Sequence, residues 1–190
     1  MENVYEWIIN LITNVGTLSI TINCLLIIFE SIIPPLPISV FITILFINYG
    51  PFLGFLISWI FTILGCLLSF YLFQTVLKKY VDSRIRKHEF ANKLLKIVDN
   101  IKFNHLVLII AIPFTPAFLV NIVAGISKMN IKKFLPAIAI GKISLVLFWG
   151  IIGTSLLESI KNPLIIIKVI FLIIIAYIIS RVVNKKFNLD

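Results

Sequence analysis

The chain has 190 residues, 60% of them apolar and only 13% charged, with a mean hydropathy of +1.10. A soluble domain carries about 25% charged residues, so an ordinary soluble fold is excluded and residues 1–190 read as a single integral membrane domain. The net charge of +9 does not imply nucleic acid, because the basic residues cluster beside apolar segments, where they follow the topology rule and meet anionic lipid.

Apolar segments run over residues 7–29, 31–49, 51–77, 104–127, 134–157 and 163–181. A full span needs about 20 residues. Glu2 and Glu6 stand where a secretory signal would be basic, so no signal peptide is expected. Segment one carries Asn10, Asn14, Thr17 and Thr21 at helical spacing. That polar stripe suits a face turned to protein or water, or an amphipathic helix on the surface. Cys24 and Cys66 lie in apolar stretches and read as inert small hydrophobes.

Two segments are broken by proline. One break is Glu30-Ser31-Ile32-Ile33-Pro34-Pro35-Leu36-Pro37, and the other is Ile112-Pro113-Phe114-Thr115-Pro116. Proline removes a backbone donor and clashes with the preceding turn. In hydrocarbon such backbone survives only buried in protein or lining a wet cavity. One break in each half of a membrane protein points to a transport site rather than an anchor. Segment three presents Gly54-x-x-x-Ser58 and Gly65-x-x-x-Ser69, small faces for close helix contact.

The loop 78–103 carries Lys78, Lys79, Arg84, Arg86, Lys87, Lys93, Lys96 and Lys102 against Asp82, Glu89 and Asp99, and is expected on the cytoplasmic side. Ile85, Phe90, Leu94, Ile97, Val98 and Ile101 fall near helical spacing within it. They predict an amphipathic helix on the membrane surface, with docking of a partner as the alternative. Two more basic clusters follow, Lys128/Lys132/Lys133 and Arg181/Lys185/Lys186. All three share one side only if the broken segments enter and leave on the same face. The expected fold is therefore all-α, with four transmembrane helices, two opposed re-entrant hairpins and cytoplasmic termini. A six-helix bundle with proline kinks is the alternative.

Glu30 is the only acid between Glu6 and Asp82. An embedded carboxylate is costly unless paired, protonated or hydrated, so Glu30 reads as a proton-exchanging group or as an interfacial helix cap. Lys142 lies about 12 Å beyond Phe134 along a helix, near the midplane. It is expected to meet the hairpins as a counter-ion or headgroup contact, or else to snorkel. Lys168 reads as a snorkelling residue and His105 as an interfacial histidine. Asn121 suits freed backbone or a cavity wall, and Gly125 a tight reversal or close packing. No G-x-S-x-G, HExxH or phosphate loop occurs. No enzyme activity, cofactor or metal is expected.

Phe29-Glu30 followed by Pro34-Pro35-Leu36-Pro37 resembles the first motif of the DedA family, also called the VTT-domain or SNARE-associated Golgi protein family. Ile112-Pro113-x-x-Pro116, then Asn121, Ala124-Gly125, Met129, Phe134 and Gly141, resembles its second motif. The resemblance covers about residues 20–155. It implies two re-entrant hairpins meeting in the membrane, and translocation of phospholipid or of undecaprenyl phosphate, with proton dependence in bacterial members. The partners it implies are membrane lipids and protons. A homo-oligomer is compatible with the sequence, and the bacterial inner membrane is the expected location. Three positions depart from the family pattern: Ser39 stands where many members have a second acid, and Ile110 and Pro116 where many have arginine. Lys142 or Lys128 is then the candidate replacement charge. A small-solute transporter and a non-transporting scaffold are the competing functions.

Overall fold

A computed structural model describes residues 16–33, 36–75, 101–114, 117–127, 129–160 and 162–186. Pro34, Pro35, Pro116, Lys128, the helix expected within 78–100 and both chain termini lie outside the described residues. So do Asn10, Asn14 and the side chain of Thr17. The helices are α1 (Gly16–Glu30), α2 (Ile38–Thr75), α3 (Phe103–Ala111), α4 (Ala117–Ile126), α5 (Ile131–Glu158) and α6 (Leu164–Lys186). No strand occurs among the described residues. Among the described residues three stretches are long and apolar enough to cross a membrane: Ile38–Thr75, Ile131–Glu158 and Leu164–Val183. The described part of segment one is α1, 15 residues from Gly16 to Glu30.

α2 is two arms joined at Gly50, which has φ 75 and ψ 172. Glycine tolerates that left-handed φ, and Pro51 starts the next arm where its missing N–H costs nothing. The arms fold back on each other. A Cβ on Gly54 would lie 2.7 Å from the Leu45 carbonyl oxygen and the Phe46 Cα. The division falls where segments two and three meet in the sequence.

The first break is a reversal between α1 and the arm 38–49. The Asn23 amide Nδ2 donates to the Phe41 carbonyl at 2.9 Å, across the reversal. Segment two therefore does not turn back within itself; α1 supplies the other arm. The arm 51–75 then runs past the turn, so that Gly65 sits against Ser31 and Ile28.

The second break ends α3 at Ile112, whose extended φ −82 and ψ 122 are what the residue before proline adopts. α3 packs on α5 and α4 on α2. Contacts fix their directions. Lys133 Nζ donates to the Ile101 carbonyl, and Gly141 packs against Ile110 and Val107, so α3 runs parallel to α5. Asn121 meets Cys66 and Gly125 meets Phe70 and Phe73, so α4 runs parallel to the arm 51–75. The chain thus leaves one end of the bundle along α3 and returns to that end along α4.

Lipid tails give apolar side chains no reason to leave them, so helix contact rests on close packing by small residues. Gly54, Ser58, Thr62, Gly65 and Ser69 form a buried stripe along α2. The main core joins Phe70, Val123, Ala124, Phe134, Ala137 and Ile138. The rings of Phe70 and Phe134 stack there, 4.7 Å apart at 20°. α5 begins with Asn130, whose side chain accepts from the Lys132 N–H at 2.9 Å. α6 packs chiefly on α5, meets Phe114 through Tyr177, and turns most of its apolar surface outward, as a lipid-facing helix does.

Candidate functional site

Both breaks reach the middle of α2. The Asn121 side-chain Nδ2 donates to Cys66 Sγ at 3.4 Å, and Ser31 Oγ lies 3.9 Å from the same sulfur. Ser31 belongs to the first break, and Asn121 follows the second on α4. Cys66, Asn121 and Ser31 are all buried. Cys66 is a free, buried core residue, as expected of a small hydrophobe, and its sulfur also links the two breaks. Two orphaned hydroxyls lie on the same helix, since Ser58 Oγ and Ser69 Oγ are buried without a hydrogen-bond partner.

Glu30 is the last residue of α1 and half-buried. Lys142 is 2% exposed in the interior of α5, about 16 Å along the helix from Ile131. This burial means that Lys142 does not snorkel to the bundle surface. Its backbone follows Gly141, whose lack of a side chain lets α3 approach to 2.7 Å of an added Cβ. Among the described residues the other acid, Glu158, and the basic Lys102, Lys132, Lys168, Arg181 and Lys185 are exposed. Lys133 is half-buried and bonded at the end of the bundle.

The breaks also converge on α5 one to two turns further along. Phe114, at the tip of the second break, sets its ring 6.2 Å from Phe148, 6.0 Å from Trp149 and 6.3 Å from Tyr177, all edge-on. Beyond the first break, Ser39 and Thr43 line an open-sided groove of about 360 Å³ with Trp149, Gly153 and Leu156. Thr43 Oγ1 donates to the Ser39 carbonyl at 2.7 Å. On the other flank a second groove of about 350 Å³ runs between Pro113, Ser144 and Phe148 and the α6 residues Leu172, Ile175 and Ile179. Both walls are predominantly apolar.

The remaining candidates are placed as follows. Pro37 is exposed just before α2, and Pro113 is half-buried in the groove wall. Gly125 allows close contact, because an added Cβ would lie 2.6 Å from the Phe70 carbonyl oxygen. Thr21 is exposed, so the inward polar group on α1 is instead Asn23. Sequence reading missed Asn23, Ser31, Cys66 and Phe114. Ser31 and Phe114 had a local signal, their places inside the breaks; Asn23 and Cys66 had none. Lys168 is exposed, consistent with a snorkelling residue. No group of three or more His, Cys, Asp or Glu able to hold a metal occurs among the described residues.

The VTT domain matches residues 33–155, more than half of the chain. This chain belongs to the VTT-domain family. The VTT match begins inside the first break and ends on α5, so it takes in the second break and Lys142 but stops short of Glu30. A relative from Bacillus subtilis (strain 168), "Uncharacterized membrane protein YhjE", is 29% identical over 164 residues, 86% of this chain and 79% of that protein. No solved structure matches this VTT protein.

Proposed function

We propose that this VTT-domain protein is a lipid translocase of the bacterial inner membrane, moving a phospholipid or a polyprenyl phosphate between leaflets. In this reading the two broken segments are re-entrant hairpins opposed across the bilayer, set among the spanning helices. Their tips thin the barrier. The headgroup passes Glu30, Lys142 and Asn121 while its tails stay in the lateral grooves. Glu30 takes up a proton when it parts from Lys142, which couples movement to a proton gradient.

One observation carries the proposal: Lys142 is buried inside α5 and Glu30 is half-buried beside the first break, in a bundle whose two broken segments meet at Cys66. An embedded ionisable pair is expensive and marks a pathway more often than a scaffold. The grooves beside it support lipid over a small solute, because they open sideways and are walled by apolar residues. A solute carrier encloses its cargo.

The test is lipid movement in proteoliposomes, with a tail-labelled phospholipid and a polyprenyl phosphate analogue, with and without a pH gradient. Movement that needs the protein and falls in Glu30→Gln is expected. If neither lipid moves while the protein is folded, the proposal is wrong.

A further inference from the structure

Trp59 lies on the arm 51–75 of α2, and its side chain joins that arm to α5. The indole Nε1–H donates to the Ala139 carbonyl at 2.8 Å, across 80 residues of sequence. The ring is held on its own helix by Phe55, one turn earlier, with centroids 6.3 Å apart and planes at 13°. A helix carbonyl keeps a second lone pair beside the one in its own ladder, and successive carbonyls turn about 100° around the axis. A donor fixed on α2 and bonded to one of them therefore sets the rotation of α5.

That setting matters because of Pro136, inside α5 and three residues before Ala139. Beyond the first turn a proline leaves the carbonyl four residues back, here that of Lys132, without its ladder N–H, and helices bend at such points. The part before Pro136 is anchored by the Asn130 cap and by Lys133, which bonds the Ile101 carbonyl. The part after it carries Gly141, packed on Ile110, and Gly150 and Gly153, packed on Phe46 and Thr43. There Gly141, Lys142, Leu145 and Val146 are buried, while Ile140, Ile143, Ser144 and Leu147 are exposed. A rotation of about 100° toward Ile140 and Ser144 would carry Lys142 out of the buried face.

We infer that the Trp59 indole N–H is a latch on a proline-hinged α5, and that Trp59 is the positioning residue that keeps Lys142 turned inward. Trp59 acts on Lys142 through the rotation of the helix that bears it, so the inference stands whatever cargo the site carries.

Distances between pairs of spin labels, measured by electron double resonance, test the latch. In a Cys24→Ala/Cys66→Ser background, labelled cysteines replace Leu68 and Leu147 in one protein, and Leu68 and Leu135 in another. All three side chains are exposed; Leu135 precedes the hinge and Leu147 follows it. Trp59→Phe keeps an aromatic ring and removes the N–H. It is expected to give the 68–147 pair a second distance, its population raised about fivefold, the factor for loss of one ordinary hydrogen bond. The 68–135 pair is expected to stay unchanged. Pro136→Ala restores the ladder N–H, so the second distance is expected to vanish in Trp59→Phe/Pro136→Ala. Should Trp59→Phe not fold, benzothienylalanine at position 59 keeps both rings, lacks the N–H and gives the same readout. An unchanged 68–147 distance, an equal change in both pairs, or a second distance that persists with Pro136→Ala would overturn the latch. Lipid movement does not enter these readouts, so their failure leaves the translocase proposal intact.

Discussion

Glu30, half-buried, ends α1, and Lys142 lies buried inside α5, where the broken segments converge. On the proposed pairing of the two, removing one charge leaves the other poorly compensated. Glu30→Gln and Lys142→Met are each expected to lower the unfolding midpoint in detergent. The double variant should lose less than the sum, since neither charge is then stranded. Strict additivity in thermal or denaturant unfolding would mean the two do not interact.

Cys66 is the next point of coupling. Cys66→Val removes the acceptor of the Asn121 amide and the neighbour of Ser31. An orphaned buried donor costs about 1–3 kcal/mol. Cys66→Ser, which keeps an acceptor, is expected to be milder. Unfolding midpoints of the two variants check the order. Equal midpoints would reduce Cys66 to filler, its sequence-based reading.

Gly125 and Gly141 are contact glycines. Gly125→Ala sets a methyl against the Phe70 carbonyl, a backbone atom that cannot step aside. Overpacking of this kind costs about 1–3 kcal/mol. Gly141→Ala meets Ile110 Cβ, which a rotamer change does not move, and the Val107 carbonyl, and is expected to cost a similar amount. Melting curves in detergent check both; an unchanged midpoint in either variant would contradict the account of close contact.

Phe114 ties the second break to α5 and α6. Each aromatic pair contributes about 0.5–1.5 kcal/mol beyond the area it buries. Phe114→Ala removes its contacts with Phe148, Trp149 and Tyr177. Altered tryptophan fluorescence and easier proteolysis within 112–116 are expected. An unchanged cleavage rate would mean that this ring does not hold the break.

The α3–α4 reversal predicts a labelling pattern. Single cysteines in place of Lys102 and Asn130, both exposed, are expected to react with an impermeant maleimide from the same face in oriented vesicles. A Cys24→Ala/Cys66→Ser background is used for these tests. Reaction from opposite faces would replace the hairpin with a kinked span.

Much of this was legible in the sequence, because membrane folds are constrained by hydropathy and backbone satisfaction. Proline in apolar segments located both breaks. The boundary at Gly50–Pro51 appeared as the gap between segments two and three. Glu30 and Lys142 stood out because charge is scarce in such a chain. The pairing of α1 with the arm 38–49 was not legible, since periodicity gives a helix's face but not its neighbour. The same limit hid Cys66, whose polar partners are 35 and 55 residues away. It also hid Asn23, one polar residue among apolar ones, which becomes informative only when Phe41 is seen opposite it.

The central claim is that the charge pair lies on the path of a lipid, and a charge swap tests it most directly. Lipid movement would be measured for wild type, Glu30→Lys, Lys142→Glu and the double Glu30→Lys/Lys142→Glu. The account predicts a loss of about tenfold or more in each single variant, where like charges face each other, and substantial recovery in the double, where opposite charges are restored. Full activity in both single variants, or a double variant as inactive as either, would contradict it.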